Sequence, residues 1–106
     1  MDMSSIMRQA KEMQEKMADI QENLKNQSAS GSAGGGMVTV TANGHQEITS
    51  IVIEKEIISA DEQEMLQDLI KAATNDALRK VKEMGKEEMA KLTGGLNLPG
   101  ASNLFS

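Results

Sequence analysis

The sequence predicts an α+β protein built as a long N-terminal helix, an antiparallel β-hairpin and a long C-terminal helix. Three observations predict this fold class. The first 27 residues carry an unbroken heptad pattern, residues 37–53 are β-branched around an Asn-Gly pair, and a capped apolar stripe begins near residue 60. A chain of 106 residues forms one domain with a thin core. We therefore expect a single domain over residues 1–92 and a flexible tail over residues 93–106.

The first helix is predicted over residues 3–27 from the spacing of its apolar side chains. These side chains are alternately three and four residues apart, as in the seam of a coiled coil, and the positions between them are mostly charged or amide. Such a narrow seam needs another helix against it, and the pattern leaves open whether that helix lies within the subunit or in a second one. The candidate packing residues of this seam are Met3, Ile6, Ala10, Met13, Met17, Ile20 and Leu24.

A glycine-rich loop is predicted over residues 28–36, because small polar residues and three consecutive glycines favour irregular backbone. The hairpin follows over residues 37–53. Asn43-Gly44 is typical of a two-residue type I′ turn, which needs positive φ at both central residues. Such a turn would give the cross-strand pairs Val40–Glu47 and Val38–Thr49.

The two faces of the predicted hairpin both carry apolar residues. One face has Val38, Val40, Ala42, Ile51 and Ile53, and the other has Met37, Ile48 and Val52. Since neither face is cleanly polar, we expect both to be covered, which favours a second subunit. Val38, Val40, Ile48 and Val52 are therefore further candidates for packing or dimer contacts.

The second helix is predicted over residues 60–92. Ser59 followed by Glu62 is typical of a capping box, and Gly94-Gly95 is expected to end the helix. Its apolar stripe consists of Leu66, Ile70, Ala73, Ala77, Val81, Met84 and Leu92. The helix would be about 50 Å long at 1.5 Å per residue. This exceeds what so small a globule needs, so we expect its C-terminal half to project.

The composition argues against catalysis. The chain has no cysteine and one histidine, His45 beside the predicted turn, so thiol chemistry and a zinc site are disfavoured. We expect no enzyme activity, metal, cofactor or small-molecule substrate. The N-terminus is charged and no apolar segment has the length of a membrane helix, which favours a cytoplasmic protein without a membrane partner.

Residues 75–91, "NDALRKVKEMGKEEMAK", hold five of the eleven basic residues in a chain of net charge −5. On a helix, one row opposite the apolar stripe is formed by Lys71, Asn75, Arg79, Lys82 and Lys86. Composition alone favours a solvated helix of mixed charge, since Glu83, Glu87 and Glu88 lie among the cations. The functional interpretation is a projecting helix that presents this row to phosphates.

Three segments resemble the YbaB/EbfC family of bacterial nucleoid-associated proteins. These segments are "MRQAKEMQEKMADIQENL", "GGGMVTVTANGHQEITSIVI" and "DEQEMLQDLIKAATNDAL", and the tail "LNLPG" is also similar. The resemblance covers nearly the full chain. It implies a tweezer-like homodimer with the sheet near its centre and the helices as arms. Family members usually have a short strand before the hairpin, whereas "NQSASGSA" is small and polar here, so a third strand is left open.

The resemblance also implies a cytoplasmic, nucleoid-associated protein that binds double-stranded DNA, with a capacity to alter DNA conformation and to influence gene expression or nucleoid organisation. No sharp DNA-binding motif of the family maps onto this chain. The candidate DNA-binding residues are therefore taken from the helices: Arg8, Lys11, Lys16, Lys71, Asn75, Arg79, Lys82 and Lys86. We expect largely sequence-independent contacts to the phosphate backbone. The alternative is a prefoldin-like or coiled-coil scaffold that binds other proteins.

Overall fold

The computed structural model describes the backbone of residues 2–96 and the side chains of residues 2–91. The elements in chain order are α1 (Met3–Asn26), β1 (Ser28–Ala33), β2 (Val38–Asn43), β3 (Ile48–Ile53) and α2 (Gln63–Leu96), with two 3-10 turns at Lys55–Ile57 and Ala60–Glu62 before α2. The α+β class is confirmed, and the third strand is present. The strands form one antiparallel sheet in the order β1-β2-β3.

Helix α1 lies within one residue of its predicted bounds. Its first turn is capped by Asp2, whose Oδ1 accepts a hydrogen bond from the backbone N–H of Ser5 at 2.8 Å. This bond lowers the pKa of the Asp2 carboxyl. Of its side chains only Ile20 and Leu24 are buried, so the helix is fixed to the body through its last two turns.

Strand β1 corrects the predicted loop over residues 28–36. Residues 28–33 pair antiparallel with all of β2, and the turn after them comprises only residues 34–37, in which the three glycines have φ of 67°, 69° and 95°. The segment lacks β-branched residues, but its small residues Ala29, Gly31 and Ala33 alternate and pack toward α2. The strand thus forms because pairing with β2 and close contact with α2 outweigh its weak local propensity.

The predicted hairpin register is wrong. Val38 lies opposite Ile53 and Val40 opposite Ile51, instead of opposite Thr49 and Glu47. Positive φ occurs at Gln46 (64°), so the turn is longer than two residues and is not of type I′. Gly44 instead allows the turn to lie close to the end of α1, because a Cβ added to Gly44 would overlap the backbone of Leu24.

A register shift near Thr41 and Ala42 moves Ile48 to the other face of the hairpin. Ala42 lies opposite Ile48, and residues directly opposite each other share a face. The prediction that Ile48 and Val52 share a face is therefore wrong, because the irregularity breaks the alternation of side chains. The shared face of Val38, Val40, Ala42, Ile51 and Ile53 agrees with the observed register.

The core lies between α2 and the face of the sheet that Val38, Val40 and Ala42 occupy. From α2 it takes Ala73, Ala77 and Val81, and Ile57 joins it from the first 3-10 turn. Small side chains on both sides let the helix backbone approach the sheet closely, and a Cβ added to Gly31 would overlap backbone atoms of Ala73 and Ala77. Helix α2 packs mainly on β1 and β2, and of β3 only Ile53 is partly buried against the core.

The bounds of α2 differ from the prediction at both ends. Residues 60–62 form a 3-10 turn, capped by a hydrogen bond of 3.3 Å from the Asp61 N–H to Ser59 Oγ, and the α-helix begins at residue 63. The helix also continues through Gly94 and Gly95 to Leu96. A helical glycine costs about 1 kcal/mol but keeps its N–H donor, unlike proline. The expected tail is thus wrong for residues 93–96, and the rest of it lies outside the described residues.

Candidate nucleic-acid interface

The predicted basic row lies on the exposed side of α2. Lys71, Asn75, Arg79, Lys82 and Lys86 are all exposed, and they extend over roughly 22 Å of helix at 1.5 Å per residue. This row (the α2 row) lies away from the core residues Ala73, Ala77 and Val81. Its exposure agrees with the helical projection, while its role in binding stays a prediction.

Within the α2 row, Arg79 differs from the lysines because it already has an anionic partner. Its Nη2 donates to Asp76 Oδ1 at 2.6 Å, one turn earlier on the helix. Asp76 also accepts the backbone N–H of Ser32 at 3.2 Å, and the Lys80 Nζ lies 3.4 Å from its Oδ2. The Arg79 hydrogen bond, followed by the Ser32 N–H, lowers the pKa of Asp76. Part of the Arg79 charge is thus neutralised within the chain.

The lysines of the row have no such partner. Among the described side chains, Lys71, Lys82 and Lys86 form no ion pair within 4.0 Å, although Glu83 and Glu87 are close in sequence. Lys82 and Lys86 are four residues apart, and like charges at that spacing destabilise a helix by a few tenths of a kcal/mol. The three lysines therefore form the part of the row that is available to an anionic ligand.

The candidates on α1 do not continue this row. Arg8, Lys11 and Lys16 are exposed, but Arg8 lies about 24 Å along the helix from Leu24, where α1 joins the body. Arg8 and Lys11 are three residues apart and share a face, whereas Lys16 lies on a different side of α1. The basic candidates of α1 and α2 therefore do not form one continuous surface in the single chain.

The candidate packing residues divide into covered and uncovered groups. Ile20, Leu24, Val38 and Val40 are buried within one chain. The rest of the α1 seam lacks such cover: Met13 and Met17 are half-buried, Ile6 and Ala10 are exposed, and Met3 is 76% exposed. Ile48 and Val52 on β3 are also exposed. A contact between subunits at these uncovered positions stays a prediction.

The turn between β2 and β3 is attached to the C-terminal end of α1, a feature that the sequence reasoning missed. The N–H of Gly44 donates to the carbonyl oxygens of Leu24 at 2.9 Å and Gln27 at 3.0 Å. The exposed His45 also donates through Nε2 to the Gln21 carbonyl oxygen at 2.9 Å. The turn thus satisfies carbonyl groups at a helix end, where partners inside the helix run out.

A groove of about 520 Å³ lies between this turn, the end of α1 and the C-terminal half of α2. It brings His45 and Gln46 together with Lys82 and Lys86, and Leu24, Val81 and Met89 supply apolar surface. Among the described residues, no acidic side chain lines it. Two lysines of the α2 row thus share a concave surface with turn residues that the sequence reasoning did not select.

The described part of the chain has neither a metal-binding cluster nor a helix suited to a membrane. No three His, Cys, Asp or Glu residues within it are grouped so that they could hold a metal ion. Neither of its helices combines the length and the apolar character that crossing a membrane requires.

The sequence comparisons point to one family. A sequence model of the YbaB/EbfC DNA-binding family matches residues 1–96. The chain is 58% identical to the nucleoid-associated protein DP1429 of Desulfotalea psychrophila, over the full length of both chains. It is 51% identical to the nucleoid-associated protein NT01CX_0824 of Clostridium novyi, over 94% of this chain and 88% of the relative.

A solved structure has the same fold. The crystal structure of the uncharacterized protein HP0035 from Helicobacter pylori superposes with a TM-score of 0.77 at 26% sequence identity. The match covers 87% of this chain and 97% of the HP0035 chain. The helix–sheet–helix arrangement is therefore shared with a protein whose structure was determined experimentally.

Proposed function

The chain belongs to the YbaB/EbfC DNA-binding family, and on that premise we propose that it is a nucleoid-associated protein that binds double-stranded DNA as a homodimer. Contacts go mainly to the phosphate backbone and are largely independent of sequence. Binding of this kind alters DNA conformation and thereby influences gene expression or nucleoid organisation. The family is one of DNA-binding proteins and not of enzymes.

The observation that carries the proposal is the set of lysines on α2 for which the described side chains supply no ion-pair partner. Lys71, Lys82 and Lys86 are exposed on one row of a helix, in a chain whose net charge of −5 opposes any general attraction to DNA. A local cationic row is what such a chain needs to attract phosphates. Lysine is a flexible point charge rather than a planar fork, so it suits phosphate contacts better than the bidentate reading of base edges.

The dimer is supported by the uncovered apolar surface of β3. Ile51 is 50% exposed and Val52 60% exposed, on opposite faces of a strand that forms the outer edge of the described sheet. An edge strand with free backbone groups and apolar side chains pairs readily with another chain. A second copy would cover this strand and bring two sets of helices into one particle.

The scaffold alternative loses support from the packing of α1. A prefoldin-like clamp needs two helices packed along much of their length, whereas only Ile20 and Leu24 of the α1 seam are buried. The exposed methionines of the seam are compatible with contacts to another protein, a second copy included. No described feature of the fold favours a client protein over that second copy.

The proposal is tested by removing charge from the α2 row. The triple variant Lys71→Gln, Lys82→Gln, Lys86→Gln should bind a random duplex more weakly, since each phosphate contact removed lowers the affinity roughly fivefold at moderate salt. The slope of log affinity against log salt should also fall by about 0.9 for each contact. Both quantities follow from fluorescence-anisotropy titrations at several salt concentrations.

The matched control is the triple variant Lys25→Gln, Lys55→Gln, Lys91→Gln, which removes the same charge from exposed positions off the row. It should keep most of the affinity and the salt slope. Equal reductions in affinity for the two variants would mean that net charge alone governs binding, and the row would then have no special role. A parent protein that binds no duplex even at low salt would overturn the proposed function itself.

A further inference from the structure

We propose that the groove between α1, the β2–β3 turn and α2 holds one sugar–phosphate strand of the bound DNA. His45 and Gln46 would then join Lys82 and Lys86 as DNA-binding residues. This inference rests on the proposed function and assigns it a specific site. The groove is a concave surface of about 520 Å³ formed by three separate elements, unlike the exposed row on a single helix.

Charge selects an anionic occupant. The chain carries 16 acidic residues and 11 basic ones, yet the described lining of the groove includes Lys82, Lys86 and His45 and not a single acidic residue. The two lysines form no ion pair in the described part of the chain. Their like charges, four residues apart, carry a small cost to the helix that an anion between them would remove.

The geometry of the turn directs polar groups to the same groove. Gln46 has a φ of 64°, a left-handed conformation that few residues other than glycine adopt. Its N–H bond to the Asn43 carbonyl oxygen (2.9 Å) and the bond from His45 to the Gln21 carbonyl oxygen (2.9 Å) hold the turn in place. His45 and Gln46 on this fixed turn line the same groove as Lys82 and Lys86 of α2.

The mixed lining suits a strand better than a free inorganic anion. Leu24, Val81 and Met89 give apolar surface for the carbon atoms of deoxyribose, while the lysines and the amides at the rim give donors for phosphate oxygens. Its described lining has no aromatic residue on which a base could stack. The occupant is therefore the backbone of the strand, and binding there does not depend on base identity.

Gly85 provides a test that spares the fold. A Cβ added at Gly85 would meet no atom within 4 Å, and Gly85 lines the groove, so we expect the larger side chain of a leucine there to occupy groove space. Gly85→Leu should weaken binding to a random duplex by about tenfold, as expected when one or two phosphate contacts are removed. Gly85→Ala is the matched control, because it makes the same helix change and leaves the groove open. It should bind DNA as the parent does.

Gln46→Gly gives a second test from the other wall. Glycine adopts the left-handed backbone without strain, so the turn is kept while the amide side chain is removed. This variant should weaken DNA binding by about threefold, near the low end of the range for a single hydrogen bond. Gln46→Asn keeps an amide and tolerates the same backbone, and it should bind more tightly than Gln46→Gly.

The outcomes separate the groove from the proposed function. If Gly85→Leu and Gly85→Ala bind equally while the Lys71, Lys82 and Lys86 variant loses affinity, DNA lies on the row and the groove proposal is overturned. If no variant changes binding of a parent that does bind DNA, neither the groove nor the α2 row is the DNA-binding surface; the proposed function itself fails only if the parent binds no duplex at low salt. Duplex and single-stranded oligonucleotides are titrated in parallel, and unchanged affinity of Gly85→Leu for both of them overturns the assignment of a sugar–phosphate strand.

Discussion

The two edges of the sheet differ in how far they are covered by the rest of the chain. At the β1 edge, α2 covers the outward backbone groups: Lys80 Nζ donates to the Ser30 carbonyl oxygen at 2.9 Å, and the Ser32 N–H donates to Asp76 at 3.2 Å. At the β3 edge none of the described strands pairs with the outer side of β3, and Ile51 and Val52 are half or more exposed. We refer to these as the closed edge and the open edge.

One row of residues across the sheet shows how side-chain size makes the two edges differ. Gly31, Val40 and Ile51 lie opposite one another on β1, β2 and β3. The glycine admits the helix backbone at the closed edge, the valine is fully buried in the centre, and the isoleucine extends beyond the helix at the open edge. Small residues thus bring α2 to one side of the sheet, and the other edge is uncovered in the single chain, which is where we propose that a second copy binds.

The largest expected effect comes from Gly31→Ala at the closed edge. The added methyl group would overlap backbone atoms of Ala73 and Ala77, which cannot move without shifting the helix. We expect a decrease of about 3 kcal/mol or more in the free energy of unfolding, the upper range for overpacked cores. Urea unfolding followed by circular dichroism measures it.

The control for this change is Gly85→Ala, which adds the same methyl group to α2 in open space and should stabilise the chain by up to about 1 kcal/mol. If Gly31→Ala is as stable as the parent, the close approach of β1 to α2 does not hold the closed edge. The difference between the two edges would then not come from the close packing of β1 on α2.

A smaller effect is expected from Val52→Lys at the open edge. The lysine would place a charge in the proposed dimer interface. Because the apolar surface of Val52 would no longer be buried there, the dissociation constant of the dimer should rise by about tenfold. The subunit itself should stay folded, because Val52 is 60% exposed in the single chain. Light scattering coupled to size-exclusion chromatography over a concentration series gives the dissociation constant.

Ser32→Lys is the matched control for the open edge. Ser32, Thr39 and Val52 form the neighbouring row, so the same lysine is introduced at the same level of the sheet but on β1. It should leave the oligomeric state unchanged. A dimer that tolerates Val52→Lys but dissociates with Ser32→Lys would place the interface at the closed edge and contradict the proposed dimer contact at β3.

The sequence predicted correctly the two helices, whose positions depend on local periodicity. The heptad located α1 within one residue, and the apolar stripe of α2 contains the buried residues Ala73, Ala77 and Val81. Strand β1 was left open because "SASGSA" has neither branched nor alternating large apolar side chains. It is a strand because of its packing against α2, which lies far along the chain, and no local propensity reports such packing.

The candidate site was predictable to a similar degree. The exposed row on α2 followed from helical spacing, since that spacing is set by local geometry. The pairing of Arg79 with Asp76 was not considered, although the two are three residues apart on one helix. The groove depends on the hydrogen bonds of Gly44 to the end of α1, so its turn residues could not be identified before the elements were assembled.

The smallest expected effect concerns the Asp76 carboxylate, which holds the closed edge by charge. Its pKa is lowered in the folded chain, first by the Arg79 hydrogen bond and then by the Ser32 N–H. A carboxyl with a lower pKa when folded stabilises the fold above its unfolded pKa, and the stabilisation is lost as the pH falls through the folded value. Asp76→Asn should therefore be less stable than the parent at neutral pH, and the difference should shrink below about pH 4.

Thermal melts of the two proteins from neutral to acidic pH measure this convergence. Asp19→Asn, a change at an exposed position of α1, reports the effect of net charge alone and should follow the parent. A gap between Asp76→Asn and the parent that stays constant with pH would assign the role of Asp76 to shape rather than to charge. The closed edge would then be held by the fit of Gly31 against α2, and the contrast with the open edge would be one of packing only.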